Sequence, residues 1–187
     1  MYFSGIKNGS FSVRQASRGE IMFRINDVIV YSLHGICRIT EIEEKEFGGE
    51  KQLYYTLTPL FDERSTFFVP VENDFTRKKL KEPLSEREIK KIFREASKIK
   101  PLSLAADTRR KDSYQKIIEN GDRQEIMALL KMLYERRRYQ SETGKKQHLI
   151  DERYMKRAED TLAEEFAFIC NTDKNEIIRE LRSKLDK

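Results

Sequence analysis

A catalytic or metal centre is built from histidines, cysteines and converging carboxylates, and this sequence spaces them poorly for either purpose. The two histidines, His34 and His148, fall in segments of different character, and neither stands at a metal-ligand spacing from Cys37 or Cys170. The sequence has no phosphate-cradling glycine loop, nucleophile elbow or zinc signature. Glu43-Glu44 and Glu164-Glu165 are sequence neighbours, so their side chains point to different faces, and solvated surface is their ordinary reading. His34-Gly35 reads as a turn at a strand end, with Gly35 supplying an unusual backbone conformation. The pattern argues against an enzyme and calls for no cofactor, metal or small-molecule substrate.

Cationic clusters offer a different chemistry, the binding of phosphate oxygens. Arg109-Arg110-Lys111 is placed at the start of a helix expected from about Asp107-Thr108, where outward-pointing amides also favour anions. Arg136-Arg137-Arg138 is placed at the end of the next helix, and Lys145-Lys146 in the loop after it. Arg153, Lys156 and Arg157 line one side of the following helix. Two plainer readings stand beside nucleic-acid binding. Glu135, Glu142, Asp151 and Glu152 interleave with these cations as on a solvated face, and cations at a helix C-terminus complement its dipole.

The elements that must position these residues divide the chain in two. Val28 to Tyr31 is an apolar run, Ile36 to Ile42 alternates, Gly48-Gly49 marks a hairpin tip, and Leu53 to Leu57 is rich in Tyr and Thr. Several short strands in about fifty residues predict a small SH3- or Tudor-like β-barrel. Pro70 is expected to end its strand or lie on an edge. The chain then turns helical: a capping box at Ser85 and Glu88, a helix closed by Pro101, a stop at Asn120-Gly121, a start at Asp122, loop from Ser141 to Gly144, and a last cap at Thr172-Asp173. The expected class is α+β in two domains, the barrel followed by an all-α bundle of about five helices. The expected boundaries are residues 22–73 for the β module, 74–84 for a linker and 85–187 for the helical domain. Residues 1–21 lack periodicity, and Arg18 to Ile21 resembles a translated ribosome-binding site, so Met22 is read as the start and 1–21 as a non-native or flexible extension.

Composition agrees with a folded chain. Of 187 residues 38% are hydrophobic and 37% charged, yet 11 Phe and 8 Tyr supply bulky core material. No apolar run approaches a membrane span and nothing at the start resembles a signal peptide. Two widely separated cysteines predict free thiols in a reducing cytoplasm. The net charge of +5 is uneven: residues 22–73 hold five Lys or Arg against nine Asp or Glu, whereas residues 74–187 hold 29 against 22. An acidic β module joined to a basic helical part suits a protein-binding unit linked to a nucleic-acid-binding one.

Three stretches, Met22 to Ile39, Glu50 to Tyr55 and Phe68 to Asn73, resemble the RNA-polymerase-interacting domain of the CarD-like bacterial transcription regulators, a domain also found in transcription-repair coupling factors. The resemblance is carried by scattered positions from Met22 to Leu185. It implies a non-enzymatic cytoplasmic regulator that binds the polymerase β subunit by strand-edge pairing and touches upstream promoter DNA with its helices. The implied polymerase-facing residues are Lys45 and the strand Thr66, Phe67, Phe68, Val69 and Pro70, with Phe68 where many members carry another contact. Arg109 and Arg110 match the family's basic pair, and Lys116 to Asp122 fits its pattern. The DNA-binding set is then Arg109, Arg110, Lys111, Arg137, Lys145, Lys146, Arg153 and Lys156. The chain departs from the family in having no Trp: Asp107 stands where the family places a minor-groove wedge, and a carboxylate there repels phosphates. Two alternatives remain open, a polymerase-bound adaptor whose helices bind a protein, and a general nucleic-acid binder that never meets polymerase.

Overall fold

The structure is a computed structural model that describes residues 23–62, 64–73, 78–104 and 110–186. The proposed extension 1–21, Asp107 and Arg109 lie outside the described residues. Five strands, β1 (Val28–Tyr31), β2 (Ile36–Phe47), β3 (Glu50–Pro59), β4 (Phe67–Pro70) and β5 (Leu80–Lys81), form one antiparallel sheet in the order β4-β3-β2-β1-β5. Five α-helices follow among the described residues: α1 (Glu86–Glu95), α2 (Arg110–Asn120), α3 (Arg123–Glu142), α4 (Leu149–Cys170) and α5 (Lys174–Leu185).

Local signals account for most boundaries. Gly48 and Gly49 both take positive φ, 64° and 85°, the backbone that a two-residue hairpin turn needs to match strand twist. Pro70 both ends β4 and lies on the sheet edge. Ser85 accepts from the Glu88 amide while the Glu88 carboxylate accepts from the Ser85 N–H, so the capping box is complete. Gly121, at φ 63°, ends α2, and Asp122 and Asp173 cap α3 and α5. Helix α3 runs through Ser141 to Glu142, so the connection to α4 is shorter than the sequence suggests.

Two features come from pairing at a distance. Ile39 pairs with Leu57 but Glu41 with Thr56, which leaves Thr40 as an extra residue in β2. Strict alternation from Cys37 and Ile39 would turn Glu41 toward the core. The bulge instead leaves Glu41 exposed and lets Ile42 join the buried cluster. The Thr40 hydroxyl donates to Thr56 O at 3.2 Å. The second feature is β5: Leu80 and Lys81, inside the expected linker, pair with Tyr31 and Val30, a strand too short to show periodicity.

The apolar side chains fall into two clusters. One lies on a single face of the sheet around Ile29, Ile39, Tyr55, Leu57 and Val69, and the other among the helices around Tyr114, Leu130, Tyr134, Phe166 and Leu181. Several polar contacts join the two parts. Ser32 donates to Glu119 O at 2.9 Å, Lys81 to Asn120 O at 2.6 Å, and the Arg123 guanidinium binds both Glu165 and Glu82 O. Helix α4 lies deepest, with Asp151, Glu159 and Glu165 each at most 3% exposed. Each has a partner: Tyr114 for Asp151, Tyr134 and Arg182 for Glu159, Arg123 for Glu165. The expected solvated reading of Glu164-Glu165 is therefore corrected. Glu165 is buried against Arg123, and Glu164 pairs with Lys174 at 2.7 Å, its carboxyl raised above the ordinary range chiefly by burial.

Candidate functional site

The polymerase-facing residues expected from the sequence divide between the two faces of the sheet. Val69 is fully buried in the sheet core, and Phe67 is half-buried, its ring 3.7 Å from that of His34. Neither side chain is presented outward, because alternation on β4 turns both inward. Thr66 and Phe68 are exposed and Pro70 is half-buried. Lys45 sits on β2 with its ammonium 4.7 Å from the centre of the Phe68 ring, and it is ion-paired with Glu43. That hydrogen bond, ahead of the coulombic attraction, holds the Glu43 carboxyl below its usual range. Strand β4 is one edge of the sheet, with no strand beyond it among the described residues. The arrangement can add an extended segment by main-chain pairing.

The cationic residues gather at one end of the helical part. Arg110 opens α2 but is only 24% exposed in its side chain, because it leans toward Asp151, Nη1 to Oδ2 3.9 Å. Arg110 therefore stands at a helix start, as the sequence places it, but its guanidinium is drawn toward a buried carboxylate. The Asp151 Oδ1 accepts from the Tyr114 hydroxyl at 3.0 Å, which accepts in turn from Arg136 Nη1 at 2.7 Å. Burial first and Asp151 second push the Tyr114 phenol up to about 12. Arg136 also donates to Leu104 O, so it serves the fold and not the surface. Arg137 is engaged too: it pairs with Asp186 at 2.9 Å and lies 5.2 Å from the Tyr134 ring centre.

Lys111, Lys145, Lys146, Arg153 and Lys156 are exposed and make no ion pair with a described residue. The Arg110–Asp151 approach brings the start of α2 beside the start of α4, and Lys145-Lys146 lies in the loop that enters α4. Two helix N-termini and these cations therefore share one end, an arrangement that attracts phosphate oxygens. The sequence reading missed the apolar residues there: Leu149 is 81% exposed, Tyr139 58% and Ile150 44%. Their signal was three large apolar side chains in an otherwise charged stretch.

A cleft of about 330 Å³ separates the sheet from α4, lined by His34, Phe61 and Phe67 on one side and Arg157, Asp160 and Glu164 on the other. The His34 imidazole is held below its ordinary pKa by burial first, then by Arg157 and Lys79. Gly35 follows at φ 69° and ψ −149°, a backbone close to glycine-only, and a Cβ there would lie 2.5 Å from Glu164 Oε2. The expected turn at His34-Gly35 is thus the place where the sheet meets α4.

Among the described residues no helix is long and apolar enough to cross a membrane. A protein of Bacillus subtilis (strain 168), YdeB, named as a candidate transcription factor, is 58% identical over 36 residues, which is 19% of this chain and 24% of that protein. The chain matches about a quarter of that relative's length. A family model described as the CarD-like/TRCF RID domain matches residues 23–75, the stretch that holds β1 to β4 and the bulged hairpin. Residues 23–75 are thus similar to the CarD-like/TRCF RID domain, and that similarity covers less than a third of the chain.

Proposed function

We propose that this protein is a non-enzymatic bacterial transcription regulator that docks on the RNA polymerase β subunit through its β module and lays its basic helical end on upstream promoter DNA. The observation that carries the reading is the open β4 edge, flanked by exposed Phe68 and by Lys45, inside the stretch that matches the CarD-like/TRCF RID domain. The β module is read as an SH3- or Tudor-like domain from residue 22 that takes in β5, and residues 85–187 as a helical DNA-binding domain. Arg109, Arg110, Lys111, Lys145, Lys146, Arg153 and Lys156 would contact phosphates, which position a protein without reading sequence. Arg137 adds little while it is held by Asp186.

A second reading, a polymerase-bound adaptor whose helices take a protein partner, is favoured by exposed Leu149, Ile150 and Tyr139, since phosphate binding does not require apolar groups. One experiment separates them: capture of the chain on immobilised polymerase β subunit, followed by footprinting of promoter DNA in the ternary complex. Capture with upstream protection supports the regulator reading. Capture with an unchanged footprint moves the adaptor ahead, and failure of capture refutes both.

A further inference from the structure

The carboxylate at the start of α4 is less well partnered than its burial demands. Asp151 is the third residue of that helix and 1% exposed. Its Oδ1 accepts from the Tyr114 hydroxyl, while Oδ2 has no hydrogen-bond partner among the described residues. A buried carboxylate stays charged only where hydrogen bonds or cations compensate it. The positive end of the α4 dipole supplies part of that compensation. The Tyr114 hydroxyl is neutral, and Arg136 stands behind it, held by that hydroxyl and by Leu104 O. The remaining demand falls on Arg110, whose Nη1 approaches Oδ2 to 3.9 Å.

Arg110 and Lys111 are neighbours at the start of α2, yet their charges are not equally available. Lys111 is exposed and makes no ion pair with a described residue, whereas the Arg110 side chain is 24% exposed and faces a buried anion. At 3.9 Å the Arg110–Asp151 approach is coulombic and not a hydrogen bond, so charge alone holds the guanidinium there. A competing phosphate can draw it outward. Doing so strips Asp151 of its counter-charge while leaving it buried, so every phosphate contact of Arg110 is made against that cost. We propose that Asp151 is a positioning residue that restrains Arg110 and competes with phosphate for its guanidinium, so that the start of α2 meets DNA with less than its formal charge. This inference rests on the DNA reading and adds to it the residue that sets how much charge the site presents.

The test measures binding of the full chain to a fluorescein-labelled duplex DNA by anisotropy across a salt series. Asp151→Asn keeps an acceptor for the Tyr114 hydroxyl and removes the charge. It should tighten binding by about fivefold at about 0.15 M salt and steepen the salt slope by about 0.9 unit, the worth of one released counterion. Loss of a carboxylate with a merely structural role would weaken binding, so unchanged or lower affinity in a folded variant overturns the restraint. Arg110→Gln should flatten the slope by about 0.9 unit in the Asp151→Asn background, and by less than half of that in the native one. Equal flattening in the two backgrounds overturns the pairing. Should Asp151→Asn melt early, Arg110→Gln is set against Lys111→Gln in the otherwise native chain. Lys111→Gln should then flatten the slope at least twice as much, and equal flattening overturns the proposal. A native chain that leaves the duplex unbound at about 50 mM salt removes the DNA reading and the restraint with it.

Discussion

Glu165→Ala isolates the contact that fastens the helices to the segment leaving the sheet. The carboxylate accepts from Arg123 Nε at 3.0 Å, from Arg123 Nη2 at 2.8 Å and from the Leu84 N–H at 2.9 Å, and its side chain is 2% exposed. Removing it leaves the Leu84 amide and a guanidinium that is 14% exposed. One-sided loss of a buried pair costs about 3–5 kcal/mol. Arg123 retains Glu82 O at 3.1 Å and some water, which places the loss at the lower end, about 3 kcal/mol. For a chain of this size each kcal/mol moves Tm by roughly 2–4 °C, so a fall of roughly 6–12 °C is expected. Urea unfolding followed by circular dichroism, with a thermal melt, measures both. Arg123→Met combined with Glu165→Leu should recover more than half of the loss, because a buried ion pair often exchanges for apolar packing at little cost. A single-variant loss below about 1 kcal/mol, or a double variant no better than the single, would refute the assignment.

Three other outcomes are expected. Because His34 has a lowered pKa in the folded chain, the unfolded chain binds more protons between that value and the ordinary 6.5, so stability rises with pH across this window. Acidifying from pH 7.5 to 5.5 should cost wild type more stability in urea than it costs His34→Phe, and equal losses would contradict the shift. Gly35→Ala should destabilise by about 1–3 kcal/mol in the same assay, since its backbone is close to glycine-only and Glu164 Oε2, held by Lys174, occupies the space of a Cβ. Lys145→Gln with Lys146→Gln should lower promoter-DNA affinity in the polymerase complex and flatten its salt slope by about two units, as read by fluorescence anisotropy. An unchanged slope favours the adaptor.

Much of the architecture was legible because it depends on neighbours in sequence. The Gly48-Gly49 tip, the stop at Pro70, the Ser85–Glu88 box and the Gly121 helix end are each set by a backbone restriction or a hydrogen bond within a few residues. The resemblance read over Met22 to Leu185 was legible for a different reason, that it rests on many scattered positions, and the family model matches residues 23–75 of that span. The candidate site was only half legible. Lys45 and Phe68 were named, but their meeting over the same face, and Phe47 beside them, needs the register of three strands.

What tertiary structure alone decided lies in pairs far apart in the chain. Thr40 becomes a bulge only when β2 meets β3, and that shift sends Glu41 outward and Ile42 inward. Leu80-Lys81 becomes a strand only because β1 offers it an edge. The cations of the helical part read alike in sequence, yet Arg136 turns to Tyr114 and Arg137 to Asp186, while Lys145 and Lys146 stay in solvent. Side-chain charge is a property of sequence. Whether a guanidinium is free to meet a phosphate depends on which carboxylate the fold buries next to it, and α4 carries three.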